Sequence, residues 1–170
     1  MRLIILGAGG YGRTVADVAG QTGQFDEIAF LDDNSTALDV IGKCAKYERF
    51  RDGQTAFYPA FGDNKGRLKW LYHLREAGCT SPIIIHPTAY VSPTAQIEPG
   101  TVLLPHTVVN TNCVVKSGCI VNCGAIVDHG CVLAAGVPIC LGAIVKAEHR
   151  IPRCPHIAAG HVVPNRLSPL

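Results

Sequence analysis

Two stretches of the chain carry residue types that can do chemistry. The first is Gly7-Ala8-Gly9-Gly10-Tyr11-Gly12, a GxGxxG run, with Asp32 twenty residues beyond Gly12 and Asp33 beside it. Glycines at that spacing, between a strand and a helix, present backbone N–H groups and a helix N-terminus to a phosphate. An acid at the end of the next strand suits a ribose diol. The same glycines can also do no more than permit a tight strand–helix turn, and Tyr11 can equally be a packed aromatic. The second stretch is Asn122-Cys123-Gly124-Ala125-Ile126-Val127-Asp128-His129. An imidazole, with an unperturbed pKa of about 6.5, can take a proton near neutrality. On spacing alone His129 is either such a base or a surface histidine on a turn.

The elements that must position these residues are of two kinds. From Val91 onward an aliphatic residue stands at every sixth position: Val91, Ile97, Leu103, Val109, Val115, Val121, Val127, Leu133, Ile139, Val145, Ile151, Ile157 and Val163. Four residues after these come small or modest side chains, among them Thr101, Thr107, Cys113, Cys119, Ala125, Cys131 and Ala143. Three residues after them, glycine recurs at 100, 118, 124, 130, 136, 142 and 160, with Asn112 taking that phase once. Glycine or asparagine at a fixed phase marks a corner of positive φ. Six residues therefore make one short strand and one corner, and three sides close a triangular coil of eighteen. The fold expected is a left-handed parallel β-helix of hexapeptide repeats, with about four coils between 91 and 163. Each buried Val, Ile or Leu contributes about 1.5–3 kcal/mol before entropy is set against it. Cys113, Cys119 and Cys131 point inward as buried apolar filler. His129, two residues after inward Val127 and beside Gly130, should turn its ring outward, with Asn122 on the adjacent side of the triangle. Prisms of this kind usually trimerise, and a trimer would set His129 in a cleft with a neighbour's Asn122.

Before His86 the pattern alternates strand and helix. Strands are expected at 2–6, 28–31 and 83–85, with a further apolar stretch at 56–61. Helices are expected at 13–19 and 65–77, the second with Leu68, Leu71 and Leu74 on one side and Gly78 as its stop. This is an α/β, Rossmann-like unit with parallel strands. A full dinucleotide fold needs two such halves and the first 85 residues supply one, so a nucleotide or nucleotide-sugar fits better than NAD.

Composition excludes several classes. The net charge is +2 and no Lys/Arg block runs along the chain, which argues against nucleic acid and membrane-surface partners. No apolar run approaches the roughly 20 residues of a bilayer span. Eight cysteines contain no CxxC pair and nothing at the start reads as a leader peptide, so a reduced cytoplasm is expected. A third reading, a zinc enzyme of the γ-carbonic anhydrase type with His129 as one ligand, is disfavoured because the positions five residues to either side, Gly124 and Ala134, supply no second ligand. His86 reads as structural, and His106, His149, His156 and His161 read as solvated corner residues. His73 carries no signal.

A Rossmann-like unit ahead of this prism resembles the bacterial sugar acetyltransferase family that includes sialic acid O-acetyltransferases and UDP-4-amino-sugar N-acetyltransferases. The glycine run, Phe30-Leu31-Asp32-Asp33, Phe61-Gly62-Asp63-Asn64 with Arg67, Ile85-His86-Pro87-Thr88-Ala89 and the Asn122–His129 stretch carry the resemblance. It implies a homotrimer that moves an acetyl group from acetyl-CoA to an amine or hydroxyl of a nucleotide-linked sugar, without a metal. It implies His129 as general base, Asp128 as the residue orienting its ring, and a neighbour's Asn122 in the same cleft. Gly7, Gly9, Gly10, Tyr11, Asp32, Asp33, Gly62 and Asn64 would face the sugar nucleotide, and Gly142 and Ala147 the acyl donor. The domains are expected at 1–85 and 86–170, the second truncated relative to the family, because Glu148, Pro152, Cys154 and Pro155 disturb the corners before the chain closes on Val163-Pro164-Asn165-Arg166. Tyr11 and Pro138 stand where familiar members carry histidines. The alternative is a non-catalytic trimer that binds a nucleotide-sugar and keeps a degenerate transferase site.

Overall fold

The computed structural model describes residues 1–153 and 156–163. Cys154, Pro155 and the closing Pro164-Asn165-Arg166 lie outside the described residues. The chain divides into two compact units, Met1–Ile84 and Ile85–Leu170.

The first unit is built on a parallel sheet of β1 (Arg2–Leu6), β2 (Glu27–Leu31), β3 (Val40–Gly42) and β4 (Thr55–Pro59) in the order β3-β2-β1-β4. Leu3, Ile4, Ile5 and Leu6 are all fully buried, as expected of a central parallel strand covered on both faces. Helix α1 (Gly10–Gln21) links β1 to β2, and α2 (Asn64–Glu76) follows β4. Helix α1 begins three residues before the expected start, so the end of the glycine run is itself its first turn. Asp63 caps α2, its Oδ2 accepting the Gly66 N–H at 2.6 Å. Strand β3 and the 3-10 turn Cys44–Phe50 have no counterpart in the expected elements. The strand order reverses between β1 and β4, which sets the glycine run and the Phe61-Gly62 segment at the switch point of the sheet.

The second unit is a left-handed parallel β-helix of two-residue strands on three faces. Strands pair with those eighteen residues away, for example Ile126 with Ile144 and Val127 with Val145. Inward aliphatics from Leu103 to Val145 are fully buried, and Cys113, Cys119, Ala125, Cys131 and Ala143 fill the space beside them. From Gly100 to Glu148 every corner of this phase has positive φ: the glycines adopt it, and so do His106 (58°), Asn112 (57°) and Glu148 (63°). Glu148 therefore does not disturb its corner. It adopts the same left-handed conformation, and its N–H donates to the His129 carbonyl at 2.9 Å. The coil continues through Arg150–Ile151, an Ile139–Ile157 bridge and Val162–Val163, with Pro152 facing outward.

Four inward positions differ from expectation, three cysteines and a histidine. The cysteines are more than filler: Cys113, Cys119 and Cys131 donate their S–H to the carbonyls of Asp128, Ala134 and Lys146, each fifteen residues on. Thr101 does the same with its hydroxyl to Lys116. His149, expected to be solvated, is buried, because it falls four residues after inward Val145 and so takes the small-residue position. Its Nδ1 faces the carbonyls of Lys146 and Ala147 at 2.9 and 3.0 Å.

Candidate active site

In the first unit the glycine run is fastened from several sides. Gly7 has φ +106°, and its N–H donates to the Leu31 carbonyl. A Cβ on Gly12 would lie 2.0 Å from the Gly7 carbonyl oxygen, so only glycine fits there. Gly9 and Gly10 are different. Both are exposed, and a Cβ on either would meet nothing within 4 Å. Packing does not require glycine at these two positions, and their backbone is open to solvent.

Asp32 is given work that its position on the strand does not announce. Its Oδ2 accepts the Ala8 N–H at 2.7 Å, and its Oδ1 accepts those of Asn34 and Ser35 at 2.7 and 2.8 Å. These backbone donors hold its carboxyl below the usual carboxylate range. Asp32 thus ties the glycine run to the end of β2. Asp33 accepts the Cys44 N–H at 3.0 Å and orders the next loop. The Tyr11 hydroxyl pairs with that of Tyr58 at 2.9 Å, and burial pushes its phenol up to about 12. Gly62 is exposed with open space around its Cα, and Asn64 starts α2 beside it. Arg67, fully buried, donates to the Phe61 carbonyl and steadies that turn.

In the second unit the candidate residues sort onto two corners. Asp128 and His129 follow the strand Ile126–Val127, whereas Asn122 and Cys123 precede it. Eighteen-residue stacking puts Ala147 directly over His129 and Gly142 over Gly124, with the Gly142 N–H donating to the Cys123 carbonyl. Between these corners the outward row of one face is Tyr90, Val108, Ile126, Ile144 and Val162, all apolar and none fully buried.

The His129 side chain is exposed and makes no hydrogen bond among the described residues. Asp128 does not reach its ring: Asp128 Oδ1 accepts the His129 backbone N–H at 2.7 Å and the Asn110 Nδ2–H at 3.2 Å. Asn122 is held in the same way, its Oδ1 accepting the Cys123 N–H at 2.8 Å, which leaves its Nδ2 to point elsewhere. Asn110 has no signal of its own in the sequence. The clue is its distance of eighteen residues from Asp128, one coil earlier. No group of three or more His, Cys, Asp or Glu side chains placed to hold a metal occurs among the described residues. Nor is any helix there long and apolar enough to cross a membrane.

Residues 2–74 match the family model of the PglD N-terminal domain. The first unit is similar to the PglD N-terminal domain over that stretch. The chain carrying it is similar over its length to several solved structures. A point mutant of perosamine N-acetyltransferase from Caulobacter crescentus, in complex with CoA and GDP-perosamine, has a TM-score of 0.81 at 22% identity, with 98% of this chain and 90% of that one covered. The acetyltransferase domain of PglB from Neisseria gonorrhoeae, in complex with acetyl coenzyme A, has a TM-score of 0.65 at 26% identity, with 96% and 98% covered. WeeI from Acinetobacter baumannii has a TM-score of 0.58 at 18% identity, with 97% of each chain covered. The likenesses at 22% and 18% identity show the fold; the PglB domain, at 26%, and the match to the PglD N-terminal domain fit the bacterial sugar acetyltransferase family that the sequence resembles. No curated protein matches the chain significantly.

Proposed function

We propose that the protein is an acetyl-CoA-dependent sugar acetyltransferase that acts as a cytoplasmic homotrimer on a nucleotide-linked sugar. The observation that carries this reading is the His129 corner, where an imidazole stands exposed and without a hydrogen-bond partner among the described residues, while Gly130 N–H to the Thr111 carbonyl and Glu148 N–H to the His129 carbonyl hold the corner from the coils on either side. An idle base on a rigid corner is what general-base catalysis needs. The acceptor amine or hydroxyl bonds to the thioester carbonyl carbon as His129 takes its proton. The C–S bond then breaks, and CoA leaves as the thiol with that proton returned to it.

Support for the remaining parts comes from separate features. The acyl donor fits the likeness to the PglB domain, 26% identical and solved with acetyl coenzyme A, of which this chain covers 98%. The nucleotide fits the open backbone at Gly9 and Gly10, beside Gly62 and Asn64 at the switch point of the sheet. The trimer fits the apolar outward row, which would be costly to leave in water. That row is flanked by the Asn122 corner on one side and the His129 corner on the other. Packing around a threefold axis would bring one protomer's Asp128, His129 and Ala147 to the next protomer's Asn122 and Gly142. Cysteines outside any disulfide, among them Cys44, Cys113 and Cys131, suit a reducing compartment.

The test pairs His129→Ala with two ligand screens. Removing the base should lower kcat for acetyl transfer by about a thousandfold, within the usual range for a positioned acid or base. Assembly, and the thermal shifts given by UDP- or GDP-sugars and by acetyl-CoA, should remain, since both ligands bind the folded state. Full activity in the variant removes His129 from the mechanism. A shift with nucleotide-sugars and none with acetyl-CoA, together with no turnover in the unmodified protein, points to the non-catalytic trimer.

A further inference from the structure

We propose that Asn110 is a positioning residue for His129, acting through the Asp128 carboxylate. The inference rests on the reading of His129 as the base and adds a residue that this reading does not contain.

Asn110, Asp128 and Lys146 occupy the same outward corner position in three successive coils. An asparagine amide can face either way, and here its orientation is settled. Its Oδ1 accepts the Thr111 N–H at 2.8 Å, so its Nδ2 must be the atom turned toward the next coil. There it donates to Asp128 Oδ1 at 3.2 Å, the same oxygen that accepts the His129 N–H at 2.7 Å. One oxygen therefore gathers two donors, one from the coil before and one from the histidine itself. This fixes the carboxylate rotamer, leaves Oδ2 without a hydrogen bond among the described residues, and restrains the backbone that aims the imidazole. The other held side chain lacks such an anchor: the residue one coil before Asn122 is Leu104, which has nothing to donate.

The charged and titratable groups around this corner are few. Asp128 lies on the coil of His129, and Lys146 and Glu148 lie on the next. The preceding coil contributes Asn110, Thr111 and Asn112, none of which titrates; the titratable thiols of Cys113, which donates to the Asp128 carbonyl, and of Cys131 lie inside the prism, away from the exposed imidazole. Lys146 makes no ion pair with Asp128 among the described residues, so Asn110 Nδ2 is the side-chain donor fixing that carboxylate.

The experiment is a double-mutant cycle on the full-length protein, with acetyl transfer as the readout. Asn110→Ala should lower kcat by about ten- to a hundredfold, the usual cost of a small misplacement of a catalytic group, while KM for both substrates and the thermal midpoint stay put. In an Asp128→Ala background the same substitution should cost nothing further, because its route to His129 is already gone. Asn110→Asp keeps the oxygen that accepts Thr111 N–H, and so keeps the local turn, but replaces the donor with a second negative charge. It should lower kcat and move the acid limb of the kcat/KM profile to higher pH, since an added carboxylate favours protonated imidazole. The proposal is overturned if Asn110→Ala keeps the unmodified kcat, if its loss is the same with and without Asp128, or if Asn110→Asp leaves the pH profile unmoved. Activity surviving in His129→Ala would instead overturn the base assignment, so the two failures are told apart.

Discussion

The glycine run and the His129 corner look alike as sequence, each a short cluster of polar and small residues on a turn, yet the fold treats them in opposite ways. In the run, most of the apparent chemistry is consumed by architecture. Asp32 is bound to three backbone N–H groups, Tyr11 to Tyr58, and Gly12 is pressed against the Gly7 carbonyl. Only Gly9 and Gly10 are left with open space. At the corner, the stacked backbone and the inward thiols satisfy the structure by themselves, and the histidine side chain is left with nothing to do. The contrast teaches that a reactive group is better recognised by its lack of structural employment than by its residue type.

That contrast can be broken at its strongest point by Gly12→Ala. The new Cβ would collide with the carbonyl oxygen of Gly7, whose own N–H is fastened to the Leu31 carbonyl, and the first unit should lose about 3 kcal/mol. Trp70, the chain's single tryptophan, lies in that unit, so its fluorescence during denaturation reports the loss directly. An unchanged midpoint would mean that the run is not fastened as described. A smaller effect is expected in the prism. Cys113→Ala should cost about 1–2 kcal/mol, part from lost volume and part from the unmade bond to the Asp128 carbonyl. Cys113→Ser should restore the bonding part, and neither should move the Trp70 transition. If the alanine variant melts with the unmodified protein, the thiol is filler alone. The smallest effect sharpens the comparison most. Gly10→Ala enters open space in the first turn of α1 and should stabilise the unit by up to about 1 kcal/mol. The same methyl should abolish the thermal shift given by a nucleotide-sugar, and a surviving shift would clear Gly10 of any part in phosphate binding.

The prism was legible because its signal is repetitive. Thirteen aliphatic residues in one register leave one way to bury them, and the corner phase follows from Gly100, Gly118, Gly124 and their successors. What escaped was local and unrepeated. Strand β3 has three residues, none fully buried, and so offers no hydrophobic period to detect. His149 shows how a residue type misleads: its phase placed it inward although histidine suggests a surface. Glu148 and His106 occupy positive-φ corners that glycine usually marks, because the stacked hydrogen bonds impose the turn whatever residue stands there. At the candidate site, His129 and Asn122 could be named from their stretch of sequence. Asn110 could not, since its partner is near only after the coil closes, and Asp32's engagement with Asn34 and Ser35 is a side-chain choice that no periodicity records.

The eighteen-residue pairing carries one last implication. Neighbouring coils stand one strand spacing apart, about 4.8 Å, and nothing in the prism permits a fraction of that step. The column is thus a ruler with fixed graduations, on which Ala147 sits one mark beyond His129. A longer or shorter substrate cannot be met by sliding the backbone a little. It has to be met by trading side chains on a given mark, or by gaining or losing a whole graduation.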